Sequence, residues 1–382
     1  MPFKKKPTDG VFLLPEGDLK RPRSPHLTLL LMVFVVLLSI GLVNLYSASI
    51  GAGYFGSQVR NLTVTLTAFV LFGWVIPIRQ VAAYSYWFVV VVSILLLIVL
   101  FGGRVAGGAQ RWIVIGPLSF QPSEMAKLAV VLTVARFFSS NRQEAPYTLR
   151  DLLPLAGIVG VVFALIFAQP DFGTAGVCGL IGICQLCFIR INLKSIGLVL
   201  LSIPIVGALL WNVLLMPYQK LRILNLLNPE LDPQNTGYHA LQSLIAVGSG
   251  GLMGKGFTQG TQAHLRFLPE RHTDFIFSVF AEEHGFWGSV LIFLIFTFVT
   301  YIALDIARHS KDTFAALVAV GVGALLFLEF AINVSMVMGM FPVVGIPLPF
   351  FSFGSSAMLT VCVSLGLLIS VNRSNSGVSK RN

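Results

Sequence analysis

The densest polar cluster of the chain, residues 269–274, directly precedes a long apolar segment. Asp274 closes this cluster, and Arg271 and His272 stand just before it. A carboxylate beside cationic and imidazole groups has the parts of a general-base site, in which the carboxylate takes a proton from an attacking hydroxyl. If a helix begins at 274, Glu282 lies on the same helix face, two turns further on. The alternative interpretation is that Asp274 only caps this helix.

Two charged residues of opposite sign, Glu124 and Lys127, stand at the start of another apolar segment. Pro122 suits the first turn of a helix because its missing N–H needs no partner there, so the two charges lie one turn apart on the same face. Charges at membrane depth are costly and usually line a cavity, which predicts a functional role. An ion pair at a helix end is the alternative.

Asp171 follows a second Gln-Pro step, in a short turn between two apolar segments. Its carboxylate caps the next helix in one interpretation. In the other, it caps the helix and also contacts the substrate or moves a proton. The residues leave both interpretations open.

A glycine-rich stretch, residues 248–260, contains Lys255 and has Arg266 close behind it. It matches neither the P-loop nor the dinucleotide-binding pattern, because required glycine and hydroxyl positions hold other residues. Backbone N–H groups and cations of this kind suit a pyrophosphate, and a flexible turn is the equally open alternative.

Glu329 and Asn333 lie four residues apart in a later apolar run and therefore share one helix face. We interpret Glu329 as a packing residue that bonds to a neighbouring helix, although a carboxylate inside a membrane is also a functional candidate. The proline-rich residues 341–356 must break the helix and predict an irregular segment before the last span.

These side chains must be positioned by membrane helices. Of 382 residues, 55% are hydrophobic and 11% charged, and the mean hydropathy is +0.84. A soluble domain carries about a quarter charged residues, so soluble enzymes, nucleic-acid-binding proteins and disordered proteins are excluded. A helix crosses the hydrocarbon layer with about 20 residues. The predicted fold is all-α and polytopic, with ten spans at 27–47, 62–79, 82–101, 123–138, 152–169, 173–190, 195–215, 275–303, 313–340 and 353–372.

Charge predicts the orientation of these spans. With the N-terminus inside, the cytoplasmic segments hold 17 of the 26 Lys and Arg residues and the whole net charge of +10. The predicted organisation is a basic cytoplasmic tail, 1–26, a transmembrane domain, 27–373, and a cytoplasmic tail, 374–382. The transmembrane domain includes one large extracytoplasmic loop, 216–274. Most basic residues that violate the bias fall in this loop or in the connection before the fourth span.

The ordered motifs resemble those of the shape, elongation, division and sporulation (SEDS) family of bacterial membrane proteins, over roughly residues 27–373. The motifs near Glu270 and Lys255 resemble the elongation, or RodA, branch most. The matching segments are Gly108-Ala-Gln-Arg111-Trp112, Gln121-Pro-Ser-Glu124, Gln169-Pro-Asp171, Gly248-Ser-Gly-Gly-Leu, Gly254-Lys-Gly256, Leu268-Pro-Glu-Arg-His-Thr-Asp274, Glu282-Glu283 and Pro347-Leu-Pro349.

The resemblance implies a peptidoglycan glycosyltransferase that polymerises lipid II at the outer face of the bacterial cytoplasmic membrane, for cell elongation and rod shape. It further implies a class B penicillin-binding protein partner within a larger elongation complex. Asp274 is then the catalytic carboxylate, and Glu124, Lys127 and Asp171 line a central cavity. From the sequence we add six residues as predicted substrate or cavity residues: Arg111, Arg222, Lys255, Arg271, His272 and Glu282.

The chemistry of such a reaction needs a base on the attacking side and positive charge at the leaving phosphate. We assign the base role to Asp274 and shares in pyrophosphate binding to Arg111, Lys127, Arg222 and Arg271. No cofactor is certain from the sequence, and a divalent cation at the pyrophosphate is left open. The alternatives are a lipid II flippase, which also needs a polar cavity between helices, and a scaffold without activity.

Overall fold

The computed structural model describes residues 26–50, 53–106, 109–115, 118–141, 145–227, 236–261 and 270–376. Of the residues that the structure describes, 78% are helical, which confirms the predicted all-α class. Within the described ranges the helices are α1 His26–Ala48, α2 Tyr54–Val70, α3 Ile78–Gly102, α4 Pro122–Ser140, α5 Leu149–Ala168, α6 Phe172–Leu186, α7 Leu193–Leu209, α8 Pro217–Leu227, α9 Thr236–Ser249, α10 Ile276–Arg308, α11 Thr313–Val337 and α12 Ser355–Asn375.

Each of the ten predicted spans coincides with a helix. The second span was predicted too late in the chain, because α2 begins at Tyr54 and continues through a π-helical turn, Leu71–Val75. Among the described helices, α1, α3, α5, α7, α10, α11 and α12 are long and apolar enough to cross a membrane, and α6 is a shorter apolar helix. Polar residues such as Glu124 and Lys127 make α4 less apolar than these helices.

Two features of the connections go beyond the predicted spans. In its described residues, the loop 216–274 contains the helices α8 and α9, and α9 packs against α10. There Ser243 Oγ lies 2.9 Å from Ser278 Oγ and donates to the Val337 carbonyl at 2.8 Å. The connection between α3 and α4 forms a small antiparallel sheet, which the sequence analysis did not predict. Its strands are β1 Arg104–Ala106, β2 Ala109–Ile115 and β3 Leu118–Phe120, in the order β1-β2-β3.

The centre of the bundle is formed by α11 and α12, the most buried of the long apolar helices, whereas α7 is exposed along its length. α11 packs against α4, α6 and α10, and α12 packs against α2. Because an exposed apolar helix face is what lipid tails solvate, the exposed side chains of α7 fit a membrane-facing position.

The helix breaks at the proline-rich segment, as predicted, and α11 is followed by an irregular connection, residues 338–354. This connection returns into the bundle and lies against α1. A Cβ atom on Gly41 of α1 would lie 2.3 Å from the Phe350 carbonyl oxygen, so this close approach requires glycine. The connection also contacts the turn that carries Asp274, where the Phe353 N–H donates to the His272 carbonyl.

Candidate active site

Asp274 lies in a turn directly before α10. The helix begins at Ile276 with Phe275 as its N-cap residue, and no side chain caps it. The interpretation of Asp274 as a helix cap is therefore wrong. Because Asp274 precedes the helix, the predicted helical face shared with Glu282 is not formed in that way.

The Asp274 carboxylate is half-buried and receives no hydrogen bond from any residue that the structure describes. The pKa of Asp274 is raised from 3.8 to about 6, mainly by burial and next by the neighbouring Glu270 carboxylate. The guanidinium groups of Arg222 and Arg111 lower this pKa, and Asp171 raises it slightly. A carboxylate with a pKa near neutrality and no bound donor suits a general base.

Asp171 is both a helix cap and the centre of a polar network. Its Oδ1 accepts from the Thr174 N–H at 3.5 Å, at the start of α6. Its Oδ2 accepts from Ser123 Oγ at 3.1 Å and from Gln121 Nε2 at 3.3 Å. Arg111 Nη1 lies 3.5 Å from Asp171 Oδ1. The structure thus supports a cap with additional contacts, and it joins two motifs that are distant in sequence.

Arg111 reaches this network from strand β2. Its Nη2 also donates to the Pro170 carbonyl oxygen. The small sheet therefore positions a cation next to Asp171 and within electrostatic reach of Asp274. This placement agrees with the predicted role of Arg111 at a phosphate-bearing substrate.

Glu124 and Lys127 form a buried ion pair with a third member. Lys127 Nζ lies 2.8 Å from both carboxylate oxygens of Glu124, on the same face of α4. It also contacts Glu329 Oε1 on α11. All three residues are at most 3% exposed. Glu329 was interpreted as a packing residue, and it does bond to a neighbouring helix, but its partner is a predicted cavity residue.

Three further predicted site residues are close to Asp274: Arg222 from α8, and Arg271 and His272 from the turn itself. Arg222 of α8 donates from Nη1 to the Val343 carbonyl at 3.1 Å. Arg271 donates from Nε to the Ala48 carbonyl at 2.8 Å, at the end of α1. The His272 ring stacks on Tyr54 with centroids 4.0 Å apart. Burial lowers the pKa of His272, so its imidazole is neutral near pH 7.

Lys255 and Glu282 form a separate pair. Lys255 Nζ lies 2.6 Å from Glu282 Oε1, and Thr261 Oγ1 donates to the same oxygen at 3.1 Å. Neither residue is among the charges that perturb the Asp274 carboxyl in the described part of the chain. The structure therefore does not bring Lys255 and Glu282 together with the other predicted site residues.

The glycine-rich stretch packs into a kink of α10. Gly285 has φ 65° and ψ −160°, which interrupts the helical hydrogen bonds. The N–H groups of Lys255 and Gly256 donate to the carbonyls of Glu282 and Glu283, at 3.0 and 3.1 Å. These two N–H groups are used inside the protein and are not available to a pyrophosphate. A pyrophosphate role for the rest of the stretch stays a prediction. Arg266 and Pro269 lie outside the described residues.

Comparison with known proteins decides the family. The sequence profile of the FtsW, RodA and SpoVE family, described as cell cycle proteins, matches residues 27–377. The chain belongs to this family. The SEDS resemblance is thereby confirmed, and the chain is an integral membrane protein.

Individual relatives cover nearly the whole chain. Peptidoglycan glycosyltransferase MrdB of Escherichia coli K12 is 36% identical over 92% of this chain and 95% of its own length. Stage V sporulation protein E of Bacillus subtilis is 36% identical over 92% of this chain and 97% of its own length. Peptidoglycan glycosyltransferase RodA of Treponema pallidum is 31% identical over 90% of this chain and 96% of its own length.

Solved structures share the fold of this SEDS protein. One is a chain from a peptidoglycan synthase complex that coordinates polymerization and crosslinking, with a TM-score of 0.76, 28% identity, and coverage of 91% of this chain and 97% of that chain. Another is the crystal structure of the rod shape determining protein RodA of Thermus thermophilus. Its TM-score is 0.64, its identity is 27%, and the match covers 91% of this chain and 96% of that chain.

Sequence reasoning missed several residues around Asp274. Asn333 Nδ2 and Ser352 Oγ hydrogen-bond to the main chain of the turn that carries it. Glu270 was quoted in a motif but not assigned to the site. The described residues contain no group of three or more His, Cys, Asp or Glu side chains arranged to hold a metal ion. The divalent cation stays a prediction.

Proposed function

We propose that this SEDS protein polymerises lipid II into glycan strands at the outer face of the bacterial cytoplasmic membrane, with Asp274 as the general base. The chain is a peptidoglycan glycosyltransferase. The observation that carries the assignment of the base is the Asp274 carboxylate itself. It is half-buried, has a pKa raised to about 6, and accepts no hydrogen bond from the described residues.

In the proposed reaction, the 4-hydroxyl of the acceptor sugar attacks the anomeric carbon of the donor sugar. The Asp274 carboxylate takes the hydroxyl proton while the bond between that carbon and the polyprenyl pyrophosphate oxygen breaks, which inverts the anomeric centre. Arg111 and Arg222 both lower the Asp274 pKa, so their positive charge reaches this side of the bundle. They neutralise the departing pyrophosphate, and Arg271 supports them from the same turn.

Lys127 does not fit the pyrophosphate role that the sequence suggested. Both of its carboxylate partners are buried with it, so its charge is already compensated. We propose instead that Glu124 and Lys127 support the cavity wall, whereas Asp171 orients Arg111. If a divalent cation assists, it contributes positive charge at the pyrophosphate.

The positions of basic residues support the proposed orientation. Arg79, Arg150 and Lys194 begin α3, α5 and α7, and Arg308 and Arg373 end α10 and α12. In an alternating bundle these helix ends lie on the side opposite to Asp274, and basic residues are retained on the cytoplasmic side. Both termini are then cytoplasmic and Asp274 faces outward.

We propose a class B penicillin-binding protein as the partner. A structurally similar chain belongs to a synthase complex that combines polymerization with crosslinking. Crosslinking requires nascent glycan strands, so a transpeptidase beside the polymerase receives its substrate directly, and elongation of the cell wall is the process this pair would serve.

The test is polymerisation of lipid II by the purified chain with its transpeptidase partner, comparing wild type with Asp274→Asn. We expect the variant to lose at least about 100-fold in rate, because the change removes a base and keeps the side-chain shape. Asp305→Asn is the matched control, since Asp305 lies at the far end of α10, beside His26. It should polymerise like wild type.

Other results would overturn parts of the proposal. Glycan strands made equally by Asp274→Asn would place the base elsewhere. A wild-type protein that makes no strands but moves lipid II across vesicle membranes would favour the flippase. If Asp274→Asn makes no strands alone but a complex that contains it does, the result would favour a scaffold without activity of its own.

A further inference from the structure

Three consecutive main-chain carbonyls lead up to α10, and each accepts a hydrogen bond from a different group. The His272 carbonyl accepts from the Phe353 N–H at 2.8 Å. The Thr273 carbonyl accepts from Ser352 Oγ at 2.7 Å, and the Asp274 carbonyl accepts from Asn333 Nδ2 at 2.9 Å. The turn is thus fixed residue by residue, from outside its own helix.

Asn333 joins two segments through one amide group. Its Nδ2 donates to the Asp274 carbonyl and, at 2.7 Å, to the Ile346 carbonyl. The side chain is fully buried, and its Oδ1 has no partner among the described residues. The opposite amide orientation would direct Oδ1 at two carbonyl oxygens, so both donors are required in this arrangement. A buried amide oxygen without a partner lowers the stability of the fold. The two hydrogen bonds that Asn333 donates must therefore offset this cost.

Ser352 makes a similar link from the 338–354 connection. Its hydroxyl accepts from the Leu348 N–H at 2.8 Å and donates to the Thr273 carbonyl. In the same connection, a Cβ atom on Gly345 would lie 3.2 Å from Asp274 Oδ2. Gly345 has φ +74°, which favours glycine, so the backbone here closes directly on the carboxylate.

The carboxylate of Asp274 has no hydrogen bond of its own from the described residues, so its position depends on the main chain of the turn and on the Gly345 backbone beside it. We propose that Asn333 and Ser352 are positioning residues that hold the Asp274 carboxylate in reach of the attacking hydroxyl. This inference rests on the proposed function. The links matter because a displacement of about 1 Å at a reacting group costs on the order of 100-fold in rate.

The environment of Asp274 provides a readout that packing alone would not change. The charged groups that face it are Glu270 in its own turn, Arg222 from α8, Arg111 from β2 and Asp171 at the start of α6. Burial contributes most to the raised pKa of Asp274. When the turn is released, water reaches the carboxyl, and its pKa falls toward the ordinary range.

The experiment measures kcat, KM and the pH dependence of lipid II polymerisation by the full-length chain with its partner, for Asn333→Leu and Ser352→Ala. The matched controls are Gln185→Met and Ser370→Ala. Gln185 Nε2 also bridges two carbonyls, those of Val131 and Leu317, from a fully buried position. Ser370 Oγ donates to the Ile76 carbonyl at the other end of the bundle. Thermal unfolding of all four variants is measured in parallel.

We expect Asn333→Leu and Ser352→Ala to lower kcat by about 10- to 100-fold with little change in KM, and to move the acidic limb of the pH profile downward. Gln185→Met and Ser370→Ala should lose thermal stability without moving that limb. The proposal fails if the two pairs lose activity only in proportion to stability and share one pH profile. If Asp274→Asn is fully active in the same assay, the proposed role of Asp274 as the base fails, and the positioning proposal fails with it.

Discussion

Two buried acidic sites of this protein differ in how their carboxylates are satisfied. At the triad Glu124–Lys127–Glu329, one ammonium group serves two carboxylates inside the bundle. At Asp274, the carboxylate is half-buried and accepts no hydrogen bond from the described residues, while its main-chain carbonyl accepts one from Asn333. At the first site the carboxylates are paired with a cation between helices. At the second site the hydrogen bond goes to the main chain, and the carboxylate has no direct partner among the described residues.

The difference follows from where the residues lie. Glu124, Lys127 and Glu329 are on the two packed helices α4 and α11, where water is absent and each charge must be paired. Asp274 lies in a turn before a helix, where its carboxylate is only half-buried and the guanidinium groups of Arg222 and Arg111 act on it without a direct hydrogen bond. On the proposed function, this leaves the carboxylate available to a substrate hydroxyl.

Among the variants that test this difference, Lys127→Met should have the largest effect on the stability of the fold. The change leaves Glu124 and Glu329 facing each other without a cation, so we expect a destabilisation of about 3–5 kcal/mol, measured as thermal unfolding in detergent. Lys311→Met, at an exposed position, is the control and should leave stability nearly unchanged. Equal unfolding temperatures for the two variants would contradict the pairing, whereas partial recovery by adding Glu124→Gln and Glu329→Gln would support it.

The pH dependence of the reaction sharpens the other side of the comparison. Asp274 must be ionised to accept a proton, and its pKa is raised to about 6. The polymerisation rate should therefore be constant above pH 7 and fall about tenfold per unit below pH 6. A rate that stays level down to pH 4.5, with the protein still folded, would exclude Asp274 as the base.

Asp274→Asn should also change stability, in the direction opposite to its effect on activity. Because the folded state raises the pKa of this carboxyl from 3.8 to about 6, ionisation costs the wild type stability as the pH rises through that window. We expect the variant to be more stable than wild type by about 1 kcal/mol at pH 7.5, after allowance for partial exposure. The gain should disappear below pH 4, and an equal gain at every pH would refute the electrostatic cause.

Glu329→Gln is the smallest expected change. It removes one of two carboxylates from Lys127 and keeps a neutral pair with Glu124, so stability should change by less than about 1 kcal/mol. Unfolding temperatures of Glu329→Gln and Lys127→Met, measured together, test this. A loss as large as that of Lys127→Met would show that both carboxylates are needed.

Local patterns predicted most of the architecture. Ten apolar runs gave ten helices, and the proline-rich segment ended α11 as expected. Pro122 starts α4 and Asp171 caps α6, because such end signals act within one turn of the chain. The helices α8 and α9 and the small sheet were not predicted, because short elements in a polar connection contain no long apolar run.

The composition of the site stays a prediction, and the structure shows only which predicted residues contact each other. Arg111 pairs with Asp171, whereas Lys255 pairs with Glu282. The glycine-rich stretch contained the expected N–H groups, but the kink at Gly285 presents carbonyls to them. Composition cannot show whether a donor is already used inside the fold.

The sequence by itself determined the membrane class, the helices and the charge bias, because hydropathy and helix ends are properties of neighbouring residues. It also singled out Asp274 as the base, which stays a prediction. Only the tertiary structure decided that Glu329 pairs with Lys127 and that Asn333 and Ser352 hold the Asp274 turn. A helix can rotate about its axis without changing its sequence. Partners across helices are therefore fixed by packing and by the need to satisfy every buried polar group.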